Sequence, residues 1–88
     1  MARLAELENL GPVSEQRLLE VGIRGPDDLA EVGAVAAYRR VKAAYPRNTS
    51  LVLLHAFQGA LWDLHWNALP PDVKATLRAE ARAREEPR

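Results

Sequence analysis

The segment from Leu51 to Trp62 constrains the fold more than any other part of the sequence, because it is apolar on nearly all sides of a helix. A helix of that kind needs neighbours around it. The polar residues Asn48 to Ser50 precede it and provide candidate N-caps. Gly59 leaves a smooth strip on this helix, where another chain segment can approach closely. The sequence therefore predicts that this helix is the buried centre of the fold.

Short helical segments bounded by glycine and proline occupy the rest of the chain, and no stretch alternates with the period of two that a strand requires. Glycines at the ends of these segments are expected to adopt positive φ. We expect an opening helix with Leu4, Leu7 and Leu10 on one face, followed by a helix from Val13 to Val21 that ends at Gly22. A short helix then begins at Pro26 and ends at Gly33, and a longer one runs from Ala34 to Tyr45 and ends before Pro46. The last helix runs from Pro70 to Arg84, with Val73, Leu77 and Ala81 facing inward.

These segments predict an all-α fold, a compact bundle of about five helices. One domain is expected to span residues 1–88, with residues 85–88 as a frayed tail. A chain of 88 residues has little spare stability from which to build a strained catalytic cleft. The sequence has no cysteine, which excludes disulfides, thiol catalysis and thiolate metal sites.

The charge pattern favours local rather than global attraction of partners. Twelve basic residues balance twelve acidic ones, so the chain as a whole has no net field for polyanions or membranes. Apolar runs such as Leu51 to Leu54 are too short to span a bilayer, and the N-terminus lacks the apolar stretch of a signal peptide. We therefore expect a cytoplasmic protein without membrane contact.

Catalytic and metal-binding patterns are absent from the sequence. No nucleophile stands beside a base, no phosphate-binding loop is present, and the adjacent carboxylates Asp27 and Asp28 are interpreted as charge at a helix start, so the sequence predicts no enzyme and no cofactor. His55 and His65 with Asp63 lack the ligand spacing of a metal site. Trp62 and Trp66, one turn apart, are expected to seal a junction between helices, the alternative being a stacking surface for a base or a partner.

The segment from Leu7 to Ile23 resembles a helix-hairpin-helix element, in which a glycine-containing turn presents backbone N–H groups to a nucleic-acid phosphate. The resemblance continues in order along the chain and extends nearly from Leu7 to Leu77. The complete pattern is similar to the C-terminal domain of the TfoX (Sxy) competence-regulator family, and it is carried by Asp27-Asp28-Leu29, Gly33-Ala34-Val35, Ala37-Tyr38, Gly59-Ala60, Trp66-Asn67, Leu69-Pro70, Lys74 and Leu77.

This resemblance implies a compact helical bundle and a role in the regulation of DNA uptake or transcription. Longer members of the family carry an N-terminal α/β domain that this sequence does not contain. The resemblance does not imply an enzymatic activity. It makes a non-catalytic regulatory module the leading functional hypothesis.

Two groups of residues are candidates for contact with nucleic acid or another partner. Gly11 could bring the backbone close to a phosphate, and Ser14 could donate to it. The second group is the dense basic cluster that contains Tyr38 and Tyr45 and consists of Arg39, Arg40, Lys42 and Arg47. The last helix is also basic, and its charges would extend this cluster if the two helices were neighbours, which the sequence leaves open.

Three functional interpretations remain open from the sequence. In the first, the module contacts DNA weakly and without sequence preference, or contacts a transcription-linked regulatory protein. In the second, it is a protein-binding or self-associating module, the hairpin at Gly11 is a scaffold, and the basic residues form an ordinary solvated face. An uncharacterised enzyme is the third.

Overall fold

Proline and glycine set most of the helix boundaries that the chain adopts. The computed structural model describes residues 4–85, with the side chains of all of them except Ala5 and residues 83–85. The helices are α1 (Pro12–Glu20), α2 (Pro26–Val32), α3 (Ala34–Ala44), α4 (Leu51–Trp62) and α5 (Pro71–Glu85), and two 3-10 turns lie at Leu4–Glu6 and Trp66–Ala68. Residues 4–85 contain no strand, and the predicted all-α bundle is confirmed.

The predicted roles of two glycines are confirmed. Gly22 follows α1 with a φ of 89°, and Gly33 separates α2 from α3 with a φ of 88°. Both angles lie in the region that side chains with a Cβ rarely adopt. Each glycine therefore lets the chain turn where an apolar helical face has ended.

The opening segment differs from its prediction. Leu4 is fully buried and Leu10 is nearly so, as their spacing indicated. The segment nevertheless forms only the single 3-10 turn at Leu4–Glu6, followed by a turn in which Asn9 has a φ of 73°. The left-handed conformation of Asn9 and the Gly11-Pro12 pair that follows interrupt the helical backbone, so the helix does not extend to Leu10.

Helix α4 is the centre of the core, as predicted. Leu54 and Phe57 are fully buried on it, and α2, α3 and α5 all pack against it. Only the middle of α4 is enclosed, since Leu51 at its start and Trp62 at its end are 39% and 50% exposed. Trp66 packs against the core, so of the two tryptophans only Trp66 seals a junction as expected.

One polar side chain connects the opening segment to the end of α4. The Asn9 Nδ2 group donates to the carbonyl oxygens of Leu64 at 2.7 Å and Ala56 at 3.4 Å, and the Trp66 backbone N–H donates to Asn9 Oδ1 at 2.9 Å. Gly59 lies beneath this network. A Cβ on Gly59 would lie 2.5 Å from both Asn9 Nδ2 and the Leu64 oxygen, so only glycine fits. We call Asn9, Gly59, Leu64 and Trp66 the Asn9 junction.

The two ends of the chain are described in part. Helix α5 continues to Glu85, one residue beyond the predicted end, and residues 86–88 of the predicted frayed tail lie outside the described residues. No helix within residues 4–85 combines the length and the apolar character needed to cross a membrane.

Candidate nucleic-acid interface

The turn at Gly11 leaves its backbone accessible at the start of α1. A Cβ on Gly11 would meet no atom within 4 Å, so a ligand could approach closely. The first turn of α1 presents Val13, which is 65% exposed, the acidic Glu15 and the partly buried Ser14. An apolar and an acidic side chain therefore stand where a phosphate site would need positive charge.

A second helical hairpin joins α1 to α2 around Gly22, and here two complete α-helices flank the turn. The start of α2 already holds its own carboxylates, Asp27 and Asp28. The Arg24 backbone N–H donates to Asp28 Oδ2 at 3.0 Å. These carboxylates occupy the positive end of α2, where a phosphate would otherwise bind. The helix-hairpin-helix phosphate site implied by the resemblance remains a prediction at either turn.

The basic cluster of α3 divides between two sides of its helix. Arg40 Nη1 donates to the carbonyl of Val21 at the end of α1, at 3.4 Å. Lys42 Nζ instead donates to the carbonyls of Pro46 and Thr49 in the loop before α4, at 2.9 and 3.1 Å. Residues two positions apart on a helix point about 200° from one another. Neighbours in the sequence are therefore not one patch on the surface.

The hairpin and Arg40 also lie apart. Arg40 contacts the C-terminal end of α1, whereas Gly11 precedes its first residue. A helix of nine residues is about 13 Å long, so the hairpin and the basic residue are separated by that helix. Arg39 is partly buried on α3, and Arg47 is exposed in the following loop. The structure does not combine the six predicted contact residues in one compact site.

A different basic site is formed where α3 meets α5. It is an open pocket of about 260 Å³, which we call the cationic pocket, and it is lined by Tyr38, Lys42, Leu51, Arg78, Ala81 and Arg82. Three of these side chains are cationic, and none of the described lining residues is acidic. The question that the sequence left open is answered here: α5 lies beside α3, and its arginines extend the basic surface on the side of Lys42.

Tyr45, which the sequence assigned to the basic cluster, belongs to a polar cluster between α1 and α3. Its hydroxyl donates to Glu20 Oε1, and Arg17 lies 4.3 Å above the centre of its ring. The hydrogen bond from Tyr45 lowers the pKa of the Glu20 carboxyl, and the same bond raises the pKa of the tyrosine. Arg17 also donates to the carbonyl of Asn48 at 3.2 Å. These groups connect α1 with α3, and their polar atoms bond one another rather than a partner.

His55 is a buried titratable group on α4 whose pKa is affected by two basic residues of α5. It is 6% exposed on α4, and its Nε2 atom has no hydrogen-bond partner among the described residues. Burial lowers the pKa of His55, and the positive charges of Arg78 and Lys74 lower it further. Both effects favour the neutral form of the imidazole. No group of three or more histidine, cysteine, aspartate or glutamate residues suited to a metal ion occurs within residues 4–85.

Comparison with known proteins agrees with the resemblance found in the sequence. The model of the TfoX C-terminal domain family matches residues 1–81. The DNA transformation protein TfoX1 of Aliivibrio fischeri (strain ATCC 700601 / ES114) is 31% identical over 75 residues, which are 85% of this chain. The chain spans only 36% of the length of that relative.

Solved structures from Listeria monocytogenes have the same fold. One, described as an uncharacterized protein in a triclinic crystal form, has a TM-score of 0.86 and 32% identity, and the match covers 96% of this chain and 94% of that one. Another, described as a protein of unknown function in a tetragonal form, has a TM-score of 0.84 and 32% identity, with coverage of 93% and 100%. Because these matches cover nearly all of both chains, the arrangement of helices described above also occurs as a complete crystallised chain.

Proposed function

The chain belongs to the TfoX C-terminal domain family, and on that premise we propose that it is a non-catalytic regulatory module of the cytoplasm that contacts DNA weakly and without sequence preference. The name of the Aliivibrio fischeri relative connects that protein with DNA transformation. A regulatory module of this kind acts by binding DNA, and the choice of DNA sequence can come from other proteins that act with it.

The observation that carries the proposal is the meeting of Lys42 with Arg78 and Arg82 in the cationic pocket. The whole chain has no net charge, so a local concentration of positive charge is what can attract a polyanion. Lysine and arginine contacts to phosphates position a protein on DNA but do not read its bases. Binding through this surface is therefore independent of sequence.

The expected affinity follows from the small number of charges. If three or four phosphates are neutralised, the slope of log affinity against log salt concentration is about −3 to −4. Binding is then about micromolar or weaker at physiological salt. A much steeper slope would require a larger basic surface than the α3–α5 side of the molecule offers.

Fluorescence anisotropy with a short labelled duplex at low salt tests the proposal. Reversing two charges with Arg78→Glu and Arg82→Glu should abolish binding to every duplex alike. Arg24→Glu is the matched control, because Arg24 is exposed but does not line the pocket. Absence of binding by the unaltered protein at low salt, or equal loss in the control, contradicts the proposal.

The residues predicted from the sequence are tested in the same assay. Gly11→Glu introduces a negative charge where a Cβ meets open space, so the fold should tolerate it. If the Gly11 to Ser14 backbone binds phosphate, this variant loses binding. Retained binding assigns the hairpin a scaffolding role. Arg39→Glu with Arg40→Glu and, separately, Arg47→Glu determine whether those residues extend the contact surface.

Exposed apolar side chains near the Asn9 junction favour a protein partner as the second candidate function. Val13, Trp62 and Leu64 are 65%, 50% and 39% exposed, and the carbonyl of Leu64 accepts a hydrogen bond from Asn9, close to the Gly11 turn. Contiguous exposed apolar patches are typical of interaction surfaces, and we infer that these three side chains contribute to one. Light scattering over a range of concentrations tests self-association, and Trp62→Ser should weaken it. A pull-down from lysate with and without nuclease separates a protein partner from one held through nucleic acid.

A further inference from the structure

We propose that the cationic pocket is a binding site for a phosphomonoester, with its dianionic terminal phosphate held between Lys42, Arg78 and Arg82. The inference rests on the proposed function in assigning this surface to phosphate, and it goes further by naming the class of phosphate. The source of the monoester is the phosphorylated end of a DNA strand or a small phosphorylated molecule.

The shape of the pocket suits a terminal group. Arg78 and Arg82 are one turn apart on α5, so their side chains leave the same face of that helix, and Lys42 enters from α3. Ala81, which is 2% exposed, and Tyr38, which is 5% exposed, supply buried surface between them. A volume of about 260 Å³ is smaller than a typical cofactor site and fits a phosphate with a few adjoining atoms.

The lysine is fixed before any ligand arrives. Its ammonium group donates to the carbonyls of Pro46 and Thr49, which uses two of its three donors and leaves one for a ligand. The hydroxyl of Thr49, a buried residue, donates in turn to the carbonyl of Tyr45 at 2.7 Å. Because these bonds hold the positive charge in place, little side-chain entropy is lost when an anion binds.

The number of charges favours a monoester over a phosphodiester. A phosphodiester of the DNA backbone carries one negative charge, whereas a monoester carries about 1.5 to 2 at pH 7 and has three terminal oxygens. No acidic residue is found among the described residues that line the pocket, so a ligand that carries more negative charge is attracted more strongly there. Arginine can form paired hydrogen bonds to such oxygens, and two arginines are available.

A second pocket on the other side of α5 shows that this arrangement is specific to one face. It has a similar volume of about 250 Å³ and is lined by residues that include Gly33, Gln58, Leu77 and Glu80. Glu80 is the charged residue among its described lining residues. The two pockets therefore have similar volumes but opposite charge, and only the cationic pocket is expected to attract an anion.

The experiment compares duplexes of one sequence that carry either a 5′-phosphate or a 5′-hydroxyl, by isothermal titration calorimetry and by chemical-shift mapping of the labelled protein. The phosphorylated duplex should bind about tenfold more tightly. Arg78→Gln with Arg82→Gln should remove this preference, Arg82→Lys should keep part of it, and Arg24→Gln should leave it unchanged. Thermal unfolding of each variant verifies that it is folded.

Glycerol phosphate and diethyl phosphate form the small-molecule arm of the experiment. Binding of the monoester but not of the diester, with shifts at Lys42, Arg78 and Arg82, supports the proposal. Equal affinity of glycerol phosphate and the phosphorylated duplex identifies small phosphorylated molecules as sufficient ligands, and much tighter duplex binding identifies the DNA end.

The failures of this inference and of the proposed function are distinguishable. If both duplexes bind equally and glycerol phosphate binds no better than diethyl phosphate, the monoester site is overturned while DNA binding stands. If neither duplex binds but glycerol phosphate binds in a way that depends on Arg78 and Arg82, the pocket is supported and the DNA function fails.

Discussion

The Asn9 junction and the cationic pocket both unite residues from distant parts of the chain, but they use their polar groups differently. At the junction, the amide of Asn9 donates to and accepts from backbone groups of the segment that follows α4. At the pocket, positive side chains converge and no described lining residue carries the opposite charge. The polar groups of the Asn9 junction form hydrogen bonds within the protein, whereas the positive charges of the cationic pocket remain available to an anionic ligand.

This difference separates stability from binding. Partly buried polar groups that are paired within the protein, like those of the Asn9 junction, favour one arrangement of the chain, and their loss destabilises it. Convergent like charges contribute nothing favourable to folding, because they repel one another. Substitutions at the junction should therefore change the free energy of unfolding, whereas substitutions in the pocket should change binding. Four predictions test that separation.

The largest effect is expected for Gly59→Ala. The new Cβ would lie 2.5 Å from the Leu64 carbonyl oxygen, a backbone atom that cannot move without disturbing the turn after α4. Overpacking of this kind should cost about 3 kcal/mol, more than alanine gains as a helix former. Gly25→Ala is the control, since its Cβ would meet open space. Equal urea midpoints for the two variants would show that the Asn9 junction can accommodate a Cβ at position 59.

Asn9→Ala should destabilise by about 2 kcal/mol, because the Trp66 N–H and the Leu64 carbonyl lose their partner. Alanine also disfavours the positive φ of 73° at this position. Asn9→Gly keeps the backbone conformation accessible while removing the same side chain. The difference between the two variants in chemical denaturation therefore separates the backbone contribution from the hydrogen bonds. A neutral Asn9→Gly would contradict the importance of the side chain.

A smaller effect is expected from the titration of His55. Its pKa in the folded state is lowered by burial and by Arg78 and Lys74, so the unfolded chain takes up the proton more readily. Its stability contribution is complete above the unfolded pKa of about 6.5 and is lost as the pH falls toward the lower folded pKa. Thermal unfolding between pH 8 and pH 5 should show this loss, and His55→Gln should reduce it. Saturating phosphate should also reduce it in the unaltered protein, since an anion near Arg78 offsets its charge.

The smallest effect on stability is expected for Arg78→Gln with Arg82→Gln. Removing convergent positive charge should change the free energy of unfolding by less than about 0.5 kcal/mol, although the same variant is expected to lose anion binding. Urea denaturation at low ionic strength measures the change. A loss above about 2 kcal/mol would mean that these arginines support the fold, and the contrast between the two regions would then disappear.

The sequence predicted the helices well because their signals are local. Leu51 and Trp62 bound α4 as expected, and Gly22 and Gly33 take the positive φ that their places after apolar segments indicated. The opening helix is present only as one 3-10 turn that ends before Leu7, since leucine spacing predicts burial and does not determine how far a helix extends.

The candidate site could be predicted only in part because its determinants are not local. Asn9 has partners as far as 57 positions away along the chain, and no periodicity reveals such a bond. Arg40 and Lys42 are close in sequence but project to different sides of α3, whereas Lys42 and Arg82 are distant in sequence and line one pocket. The missing signal was the packing of α5 beside α3.

The long span of the Asn9 contacts has a consequence for the lifetime of the folded state. Asn9 joins chain positions separated by 55 and 57 residues, so its bonds close long loops of the chain. Contacts between helices that are close in sequence can form earlier, because they require less loop-closure entropy. We therefore expect the Asn9 bonds to form after the rate-limiting step, so that weakening them accelerates unfolding with little change in the rate of folding. On this expectation, Asn9 affects how long the chain remains folded more than how quickly it folds.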